Sequence, residues 1–327
     1  MLRGMVGVER PLRDARPAEM QTFDPAEAAR ALPLSEEAIV KSMTARGITA
    51  DGKEVTIEPS GALRDLVRKQ LSRGSRGADE KKTDGPRKAA AEESGRGVFG
   101  KDDRVEITDA DAQEYPFRAI GQVTYVTPKG PNYCSASLIG PRTVLTAAHC
   151  LYRHEAGGWA GNIQFAPART GTSDAPFGIF NAETAYVLDG FIDNYQGTYG
   201  SVILWDMAVV ILKEPIGDNL GWLGYRHYDD MDGFTTNITG YPADKPTRTM
   251  WLASCELAAQ YIAIDWFQTD CDTYAGSSGS AVYAIDGEEY NVIGIQAAGW
   301  PHPDAESLNT AVRLSESYIA WINNLAE

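Results

Sequence analysis

The chain has 327 residues, 43% of them hydrophobic, which is enough for one large or two ordinary domains with buried cores. Its net charge of −15 resides in residues 98–327, which carry 12 Lys and Arg against 29 Asp and Glu, whereas residues 1–97 carry 18 against 16. An acidic body repels nucleic acid and anionic membranes, so neither is expected as a partner. The first twenty residues lack the apolar middle of a secretory signal.

Residues 1–97 differ in kind from the rest of the chain. All seven tryptophans, all fifteen tyrosines and all four cysteines follow residue 97. Apolar residues three or four apart, with Gly at the end, predict helices over 24–47 and 60–74. The segment between Gly74 and Gly97 is charged and almost without apolar residues, which is typical of an exposed linker. We interpret residues 1–97 as a removable prosegment with a linker; a disordered tail is the alternative.

From residue 113 onward the pattern changes to short β-rich runs separated by Gly, Pro, Asn and Asp. Many short strands over about 200 residues favour an all-β fold, either an antiparallel barrel or a sandwich. One long amphipathic helix is predicted at the end, over residues 307–327. The predicted strands are 119–127, 134–140, 142–150, 208–212, 261–268, 280–285 and 290–298.

Three segments could together supply nucleophilic chemistry. The stretch "DCDTYAGSSGSAVYAI" is either an ordinary Gly/Ser loop or a turn whose glycines let backbone N–H groups approach a reacting oxygen. His149, in "VLTAAHCLY", follows a strand and suits a base, with a packed core histidine as the alternative. Asp206 is a lone acid within the apolar "VILWDMAVVIL", where burial is costly without a partner. The order His149, Asp206, Ser278 predicts a base, an orienting acid and a nucleophile.

The segments "TAAHC", "DMAVV" and "GSSGS", in this order, resemble the chymotrypsin-fold serine proteases. The stretches "SGS", "DTY" and "GYPADKPTRTMW" resemble most closely the bacterial glutamyl-endopeptidase (V8-like) branch of that family. The likeness covers about residues 98–327. It implies two antiparallel Greek-key β-barrels, at about 113–213 and about 222–312, followed by a C-terminal helix at about 313–327.

The resemblance also implies a role for each motif residue. Ser278 would attack the scissile carbonyl, His149 would act as base and then acid, and Asp206 would fix the imidazole tautomer. Backbone N–H groups of Gly276 and Ser278 would form the oxyanion hole. The implied protein is a secreted or periplasmic serine endopeptidase made as a proenzyme. It would work as a monomer without a cofactor, with protein or peptide substrates and its own prosegment as partners. The alternative is a protease-fold binding protein that has lost catalysis.

The four cysteines allow three pairings. The pairs Cys134–Cys150 and Cys255–Cys271 are local in sequence, and the first matches the fold that the chain resembles. A zinc site is the rival interpretation, and the lack of any C-x-x-C pair argues against it, so no metal is expected. Paired cysteines indicate an oxidising compartment and therefore export.

The residue before the nucleophile marks a departure from the chymotrypsin-like zymogens. Those proteins carry an Asp there, which receives the new N-terminus on activation, whereas this chain has Ser277. The V8-like branch also lacks that Asp and uses its processed N-terminus near the substrate pocket. The resemblance therefore implies Val98 as the mature start, with cleavage after Arg96 as the alternative.

The residues expected to bind the substrate side chain before the scissile bond (P1) are Thr273, Gln296, Asp272 and Val98. The V8-like branch is expected to carry a His where this chain has Gln296, and Gln cannot become a cation. Family precedent favours glutamate at P1, while Gln296 weakens that expectation. Asp272 lies where trypsin-like enzymes carry their pocket acid, which makes P1 Arg or Lys the alternative.

Overall fold

The structure, a computed structural model, describes residues 15–23, 34–74, 97–171, 174–299 and 308–326. Most of this part of the chain forms short strands joined by turns. The strands are β1 (Arg16–Pro17), β2 (Gln21–Thr22), β3 (Ala45–Thr49), β4 (Glu54–Ile57), β5 (Val105–Ile107), β6 (Ile120–Thr127), β7 (Gly130–Leu138), β8 (Thr143–Thr146), β9 (Tyr152–Arg153), β10 (Gly158–Trp159), β11 (Gly161–Pro167), β12 (Phe180–Leu188), β13 (Ala208–Leu212), β14 (Gly224–Tyr225), β15 (Thr235–Gly240), β16 (Met250–Glu256), β17 (Trp266–Thr269), β18 (Ala281–Asp286), β19 (Glu289–Gly299) and β20 (Asn309–Arg313). The α-helices are α1 (Glu36–Ser42), α2 (Gly61–Gly74), α3 (Ala148–Leu151), α4 (Asp189–Asp193), α5 (Gly217–Leu220) and α6 (Glu316–Asn323).

Six strands within residues 120–212, which we call the first half, close into a barrel. Their hydrogen-bonded order is β11-β6-β7-β8-β13-β12, and β12 pairs back onto β11 where Phe180 lies opposite Phe165. Apolar side chains such as Val123, Leu145 and Phe165 are fully buried in its core. A closed ring of strands has no free edge along its circumference, so it is a rigid support for residues at its rim.

We call residues 224–323 the second half. Six of its strands repeat the same cyclic order, β17-β20-β19-β18-β15-β16. The all-β Greek-key architecture expected from the sequence is therefore confirmed, and both halves are antiparallel along this path. No ladder closes the ring between β16 and β17 within the described ranges. Instead, a disulfide joins Cys255 of β16 to Cys271, two residues after β17, across that gap.

The predicted helix over 307–327 is wrong in its first half. Residues Asn309–Arg313 form β20, which pairs with both β17 and β19, and α6 spans only Glu316–Asn323. A strand covered on both sides buries all its side chains, so a short apolar run lacks the alternation that separates a strand from a helix. Ser315 caps α6, and its hydroxyl accepts the Tyr318 N–H at 3.4 Å.

Residues 34–74 pack against both halves. The hairpin β3–β4 adds to the first barrel, where β3 pairs antiparallel with Thr184–Leu188 of β12. The helix predicted over 24–47 is thus wrong from Ala45 onward, and the described helical part is α1 alone. The helix predicted over 60–74 is confirmed as α2, which contacts α6. The predicted linker between Gly74 and Gly97 lies outside the described residues.

The remaining strand predictions agree with the structure except at two places. The run 142–150 is a strand only to Thr146, after which α3 begins at Ala148. The run 261–268 is a strand only from Trp266, and a 3-10 turn precedes it. Across the described ranges, no helix has both the length and the apolar character needed to cross a membrane.

Candidate active site

The pairing of β8 with β13 brings a histidine and an aspartate together. The two strands are antiparallel, with Ala208 opposite Thr146. His149 lies on α3, three residues after β8 ends, and Asp206 lies two residues before β13 begins. Because the end of one strand lies beside the start of the other, the two side chains meet at the barrel rim.

Two hydrogen bonds fix the imidazole of His149. Its backbone N–H donates to Asp206 Oδ1 at 2.8 Å, and its ring Nδ1 lies 2.7 Å from Asp206 Oδ2. A carboxylate with no solvent exposure accepts from Nδ1, so the proton of the neutral ring resides on Nδ1. The other ring nitrogen, Nε2, is buried and has no hydrogen-bond partner among the described residues. It is therefore available as a base.

Tyr199 supplies a further donor that the sequence did not predict. Its hydroxyl donates to Asp206 Oδ2, and its ring lies edge-on to that of His149 with the centroids 5.9 Å apart. Burial raises the pKa of Tyr199 well above its ordinary value, so the phenol keeps its proton. The Asp206 carboxylate thus accepts three hydrogen bonds, two from His149 and one from Tyr199.

The turn that carries Ser278 is tied to the first barrel by Ser135 of β7. The Ser135 N–H donates to the Ser278 carbonyl, and the Ser135 hydroxyl donates to the Gly276 carbonyl, both at 2.9 Å. The Ser135 hydroxyl in turn accepts the N–H of Tyr241 at 2.9 Å. One serine therefore positions both ends of the Gly276–Ser278 turn.

Glycine is required at two positions beside Ser278. Gly276 has φ +94°, and a β-carbon there would stand 2.5 Å from the Tyr241 carbonyl oxygen. Gly279 has φ +82°, and a β-carbon there would stand 2.2 Å from Thr146 Oγ1. Among the described residues, neither the Gly276 N–H nor the Ser278 N–H finds an acceptor. Both N–H groups are therefore free to donate, which an oxyanion hole requires.

The same contacts show how Ser278 lies relative to His149. Gly279 packs against Thr146 and Ala147, the residues that lead from β8 into the helix of His149. Both Ser278 and His149 are 3% exposed. The Ser278 hydroxyl makes no hydrogen bond to His149 Nε2 here, and such bonds are often long before a substrate is bound.

Both predicted cysteine pairs are disulfide-bonded, Cys134 to Cys150 and Cys255 to Cys271. The first joins β7 to the residue after His149. One group of three possible metal ligands occurs in the described ranges, and it consists of Cys134, Cys150 and His149. Two of these three are sulfurs of the disulfide, which are not thiolates, so the group does not suit zinc.

Close to the Ser278 turn, three side chains each have a buried polar atom that finds no partner among the described residues, Thr273 Oγ1, Gln296 Oε1 and Asn309 Oδ1. We call these three residues the P1 pocket, after the role that the sequence predicts for two of them. The Gln296 amide nitrogen donates to the Ala298 carbonyl at 3.0 Å, which leaves its oxygen as the free atom. Sequence reasoning missed Asn309, because its segment was assigned to a helix.

Gly97, where the sequence predicts that a prosegment ends, lies against these residues. The Gly97 carbonyl accepts the Thr273 N–H at 2.8 Å and the Asn309 side-chain amide at 2.9 Å. Val98 is 6% exposed. A β-carbon at Gly97 would stand 3.0 Å from Asn309 Oδ1. The structure thus places Val98 next to two of the three P1-pocket residues.

Unlike the three P1-pocket residues, Asp272 has a hydrogen-bond partner for each of its side-chain oxygens. Its Oδ1 accepts the Phe99 N–H at 2.7 Å, and its Oδ2 accepts the Asp103 N–H at 3.3 Å. Burial raises the pKa of Asp272, and these two backbone bonds oppose the rise. The Asp272 carboxylate therefore fixes the position of residues 99–103.

A buried arginine, Arg104, links the segment after Val98 to Asp244. The Arg104 side chain is 2% exposed and donates to the carboxylates of Asp102 and Asp244. The Arg104 guanidinium holds the pKa of Asp102 well below its ordinary value. Next to Asp244, the Ala243 N–H donates to the Ala275 carbonyl at 2.8 Å, directly before the Gly276–Ser278 turn.

This architecture defines a chymotrypsin-fold protein that carries a histidine–aspartate pair and a glycine-flanked serine turn at the cleft between its halves. The chain belongs to the trypsin family, whose family model, described as Trypsin, matches residues 105–322.

Known proteins support this assignment. A glutamyl endopeptidase of Bacillus licheniformis is 33% identical over 207 residues, which cover 63% of this chain and 60% of that protein. A Bacillus subtilis protein named extracellular metalloprotease is 31% identical over 190 residues, or 57% of each. The chain thus spans about 60% of the length of the curated relatives that it matches. A solved Glu endopeptidase in complex with MPD, 24% identical, superposes with a TM-score of 0.59 over 70% of this chain and 98% of its own.

Proposed function

We propose that this protein is a secreted serine endopeptidase, made as a proenzyme, that hydrolyses peptide bonds with Ser278, His149 and Asp206. The observation that carries the proposal is the His149–Asp206 pair. Nδ1 of the ring lies 2.7 Å from a fully buried carboxylate, and Nε2 is left without a partner among the described residues. A histidine held in this way serves as the base for a neighbouring hydroxyl.

The reaction would proceed through a covalent ester. Ser278 Oγ attacks the scissile carbonyl carbon while its proton passes to His149 Nε2. The carbonyl oxygen becomes an oxyanion, which accepts hydrogen bonds from the Gly276 and Ser278 N–H groups. His149 then gives its proton to the leaving amine, and the C–N bond breaks to leave an acyl-enzyme. Water attacks this ester with His149 again as base, which releases the acid product and restores Ser278.

Activation would follow from cleavage between Gly97 and Val98. The new ammonium group of Val98 would arise beside Asn309 Oδ1, a buried acceptor that has no partner among the described residues. A buried ammonium group requires an acceptor or a counter-charge, and the P1 pocket offers acceptors only. A P1 carboxylate would supply the counter-charge.

Glutamate is therefore the first hypothesis for P1, in line with the name of the Bacillus licheniformis relative, a glutamyl endopeptidase. Gln296 is neutral, so the positive charge would come from the Val98 ammonium group. Arg or Lys at P1 has less support, because the Asp272 carboxylate is bound by the Phe99 and Asp103 N–H groups. Peptides that differ only at P1 test the choice through kcat/KM. Equal values for Glu and Gln would overturn the preference for glutamate.

Secretion is supported by the two disulfides, which persist in oxidising compartments. The Bacillus subtilis relative is also named as an extracellular protein. A monomer that acts on protein or peptide substrates is the working form that we propose. Fractionation of the producing cells, with the protein detected by antibody, tests the location, and recovery in the cytosol alone would contradict it.

The test of catalysis is labelling with a serine-reactive fluorophosphonate, followed by intact and peptide mass spectrometry. We expect one label on Ser278 in a species that begins at Val98. Ser278→Ala should remove the label. The matched control Ser277→Ala should keep it, since the Ser277 hydroxyl only accepts the Tyr274 N–H at 3.4 Å. An unlabelled but processed and disulfide-bonded protein would contradict the proposal and favour a binding protein that has lost catalysis.

A further inference from the structure

Residues 15–23, which we call the strap, cross the cleft between the two halves. At one end, β1 pairs with β7, and the Ala18 N–H donates to the Tyr133 carbonyl at 2.8 Å. At the other end, β2 pairs with β19, and the Phe23 N–H donates to the Gly299 carbonyl at 3.0 Å. β7 carries Ser135, which holds the Ser278 turn, and β19 carries Gln296 of the P1 pocket. The strap therefore lies where an extended peptide would bind by strand addition.

The chemistry of cleavage fixes the direction in which a substrate must cross this cleft. The acyl half of the substrate bears the P1 side chain and must lie beside the P1 pocket, at β19. The leaving amine must lie on the side of His149, which gives it a proton. His149 precedes Cys150, which is bonded to Cys134 of β7. A substrate thus runs from β19 toward β7, whereas the strap runs from β7 toward β19.

The side chain of Met20 extends to Asn309 of the P1 pocket. A β-carbon at Gly299 would stand 2.7 Å from the Met20 methyl carbon, and one at Gly97 would stand 2.9 Å from it. The β-carbon position at Gly299 is 3.4 Å from Asn309 Oδ1, and the one at Gly97 is 3.0 Å from it. The methyl group of Met20 therefore lies among Gly97, Gly299 and Asn309. An unbranched apolar side chain adapts readily to such a gap.

The strap is anchored on both sides of Met20. Ala18 and Phe23 have no exposed surface, and the Phe23 ring packs edge-on against Trp266 with the centroids 5.5 Å apart. Glu19 pairs with Arg153 at 3.8 Å, but its side chain is 80% exposed, so this ion pair contributes little. The Glu19 carbonyl accepts from the Gln21 side chain at 3.4 Å rather than from the Gly276–Ser278 turn.

We propose that the strap inhibits the enzyme from within its own chain, by binding in the cleft in the direction opposite to that of a substrate. Met20 blocks the P1 pocket, and the reversed backbone presents no peptide bond to Ser278 in a productive orientation. The strap can therefore occupy the active site without being cut. This inference rests on the proposed endopeptidase function.

The experiment measures fluorophosphonate labelling of Ser278 in the full, uncleaved chain, which mass spectrometry separates from any processed form. Met20→Gly removes the side chain from the P1 pocket, and Phe23→Ala removes an anchor at the far end. Loss of one buried apolar side chain weakens binding about tenfold or more, so we expect labelling of either variant to be faster by about that factor. The control Glu37→Gln alters an exposed residue of α1 and should label at the wild-type rate.

A peptide of residues 15–23 provides a second measurement. Added to the Met20→Gly chain, it should slow labelling again and should be recovered uncut. Equal labelling rates for the wild type and both variants would overturn the strap proposal while leaving the catalytic one intact. Cleavage of the peptide at Met20 would overturn the reversed direction. If Ser278 is unlabelled in every chain, the proposed function fails and the inference falls with it.

Discussion

At the scale of single residues, the Asp206 carboxylate has the largest desolvation cost in the site. Its carboxylate has no exposed surface, and an isolated buried charge costs several kcal/mol. Two donors come from His149 and the third is the Tyr199 hydroxyl. A hydrogen bond to a charged group contributes about 1.5–3 kcal/mol. Tyr199 is therefore a positioning residue, which acts on the imidazole through Asp206.

We expect Tyr199→Phe to lower kcat about tenfold and to leave KM nearly unchanged. The variant keeps the ring against His149 but removes one donor to the carboxylate that orients the imidazole. Steady-state kinetics on a small peptide substrate measure both constants. Tyr195→Phe is the matched control, since the Tyr195 ring stacks on His154 with the centroids 4.0 Å apart and not on His149. Equal kcat for the wild type and Tyr199→Phe would show that the hydroxyl is dispensable.

The sequence indicated some of these residues and could not indicate others. Asp206 stands alone in an apolar run, so a buried partner was expected, and the structure places His149 against it. Tyr199 lies in a polar stretch, and the target of its hydroxyl depends on the path of a loop. Asn309 was not predicted, because the sequence "NTAVR" fits a helix as well as a strand. Only the pairing of β20 with β17 and β19 shows that the segment is a strand.

At the scale of elements, Gln70 joins α2, which belongs to the proposed prosegment, to the second half. Its amide nitrogen donates to Asp265 Oδ1 at 3.3 Å, and its oxygen accepts the Ser317 hydroxyl at 2.9 Å. Burial raises the pKa of Asp265 to about 6, although the charge of Arg313 and the Gln70 hydrogen bond oppose the rise. This contact between elements therefore depends on pH.

The sign of that dependence follows from the two states of Asp265. In the unfolded chain the carboxyl titrates near pH ~3.9, whereas the folded protein holds its proton up to a pKa of about 6. The free energy of unfolding should therefore fall as the pH rises from about 4 to about 6, and then level off. The partial exposure of Asp265 reduces the expected drop to about 1–2 kcal/mol.

Urea unfolding of the full chain at several pH values measures this step. Asp265→Asn should flatten it and should make the protein more stable at neutral pH, because the amide has no charge to bury. Asp218→Asn, at an exposed position of α5, is the control and should leave the step in place. A step of the same size in Asp265→Asn would assign the pH dependence to another group.

At the scale of the whole molecule, the site is divided between two halves with the same strand order. His149 and Asp206 belong to the first barrel, while Ser278 and the P1 pocket belong to the second half. The hydrogen bonds of Ser135 to Gly276 and Ser278 join them. Assembly of the candidate site therefore requires that both halves fold and dock against each other. The sequence shows no internal repeat, so the two-barrel architecture was predicted from the resemblance to the chymotrypsin-fold proteases and not from a repeat in the residues themselves.

The described part of the proposed prosegment contacts both halves. The strap pairs with β7 and β19, the hairpin β3–β4 pairs with β12, and α2 packs on α6. Most of these contacts join residues far apart in sequence, and such contacts are slow to form in β-rich proteins. A segment that binds both halves stabilises their docked arrangement. Removing it would also leave Thr184–Leu188 of β12 without the partner that β3 provides.

We therefore expect the intact chain to refold in higher yield than the processed chain that begins at Val98. Both are denatured with the disulfides left oxidised, diluted into buffer, and then labelled at Ser278 after the intact chain has been processed. The Ser278→Ala chain, followed by circular dichroism, reports refolding without self-cleavage. Higher recovery from the intact chain would make the prosegment a folding aid as well as an inhibitor. Equal recovery from both chains would restrict it to inhibition, because the two halves would then dock without it.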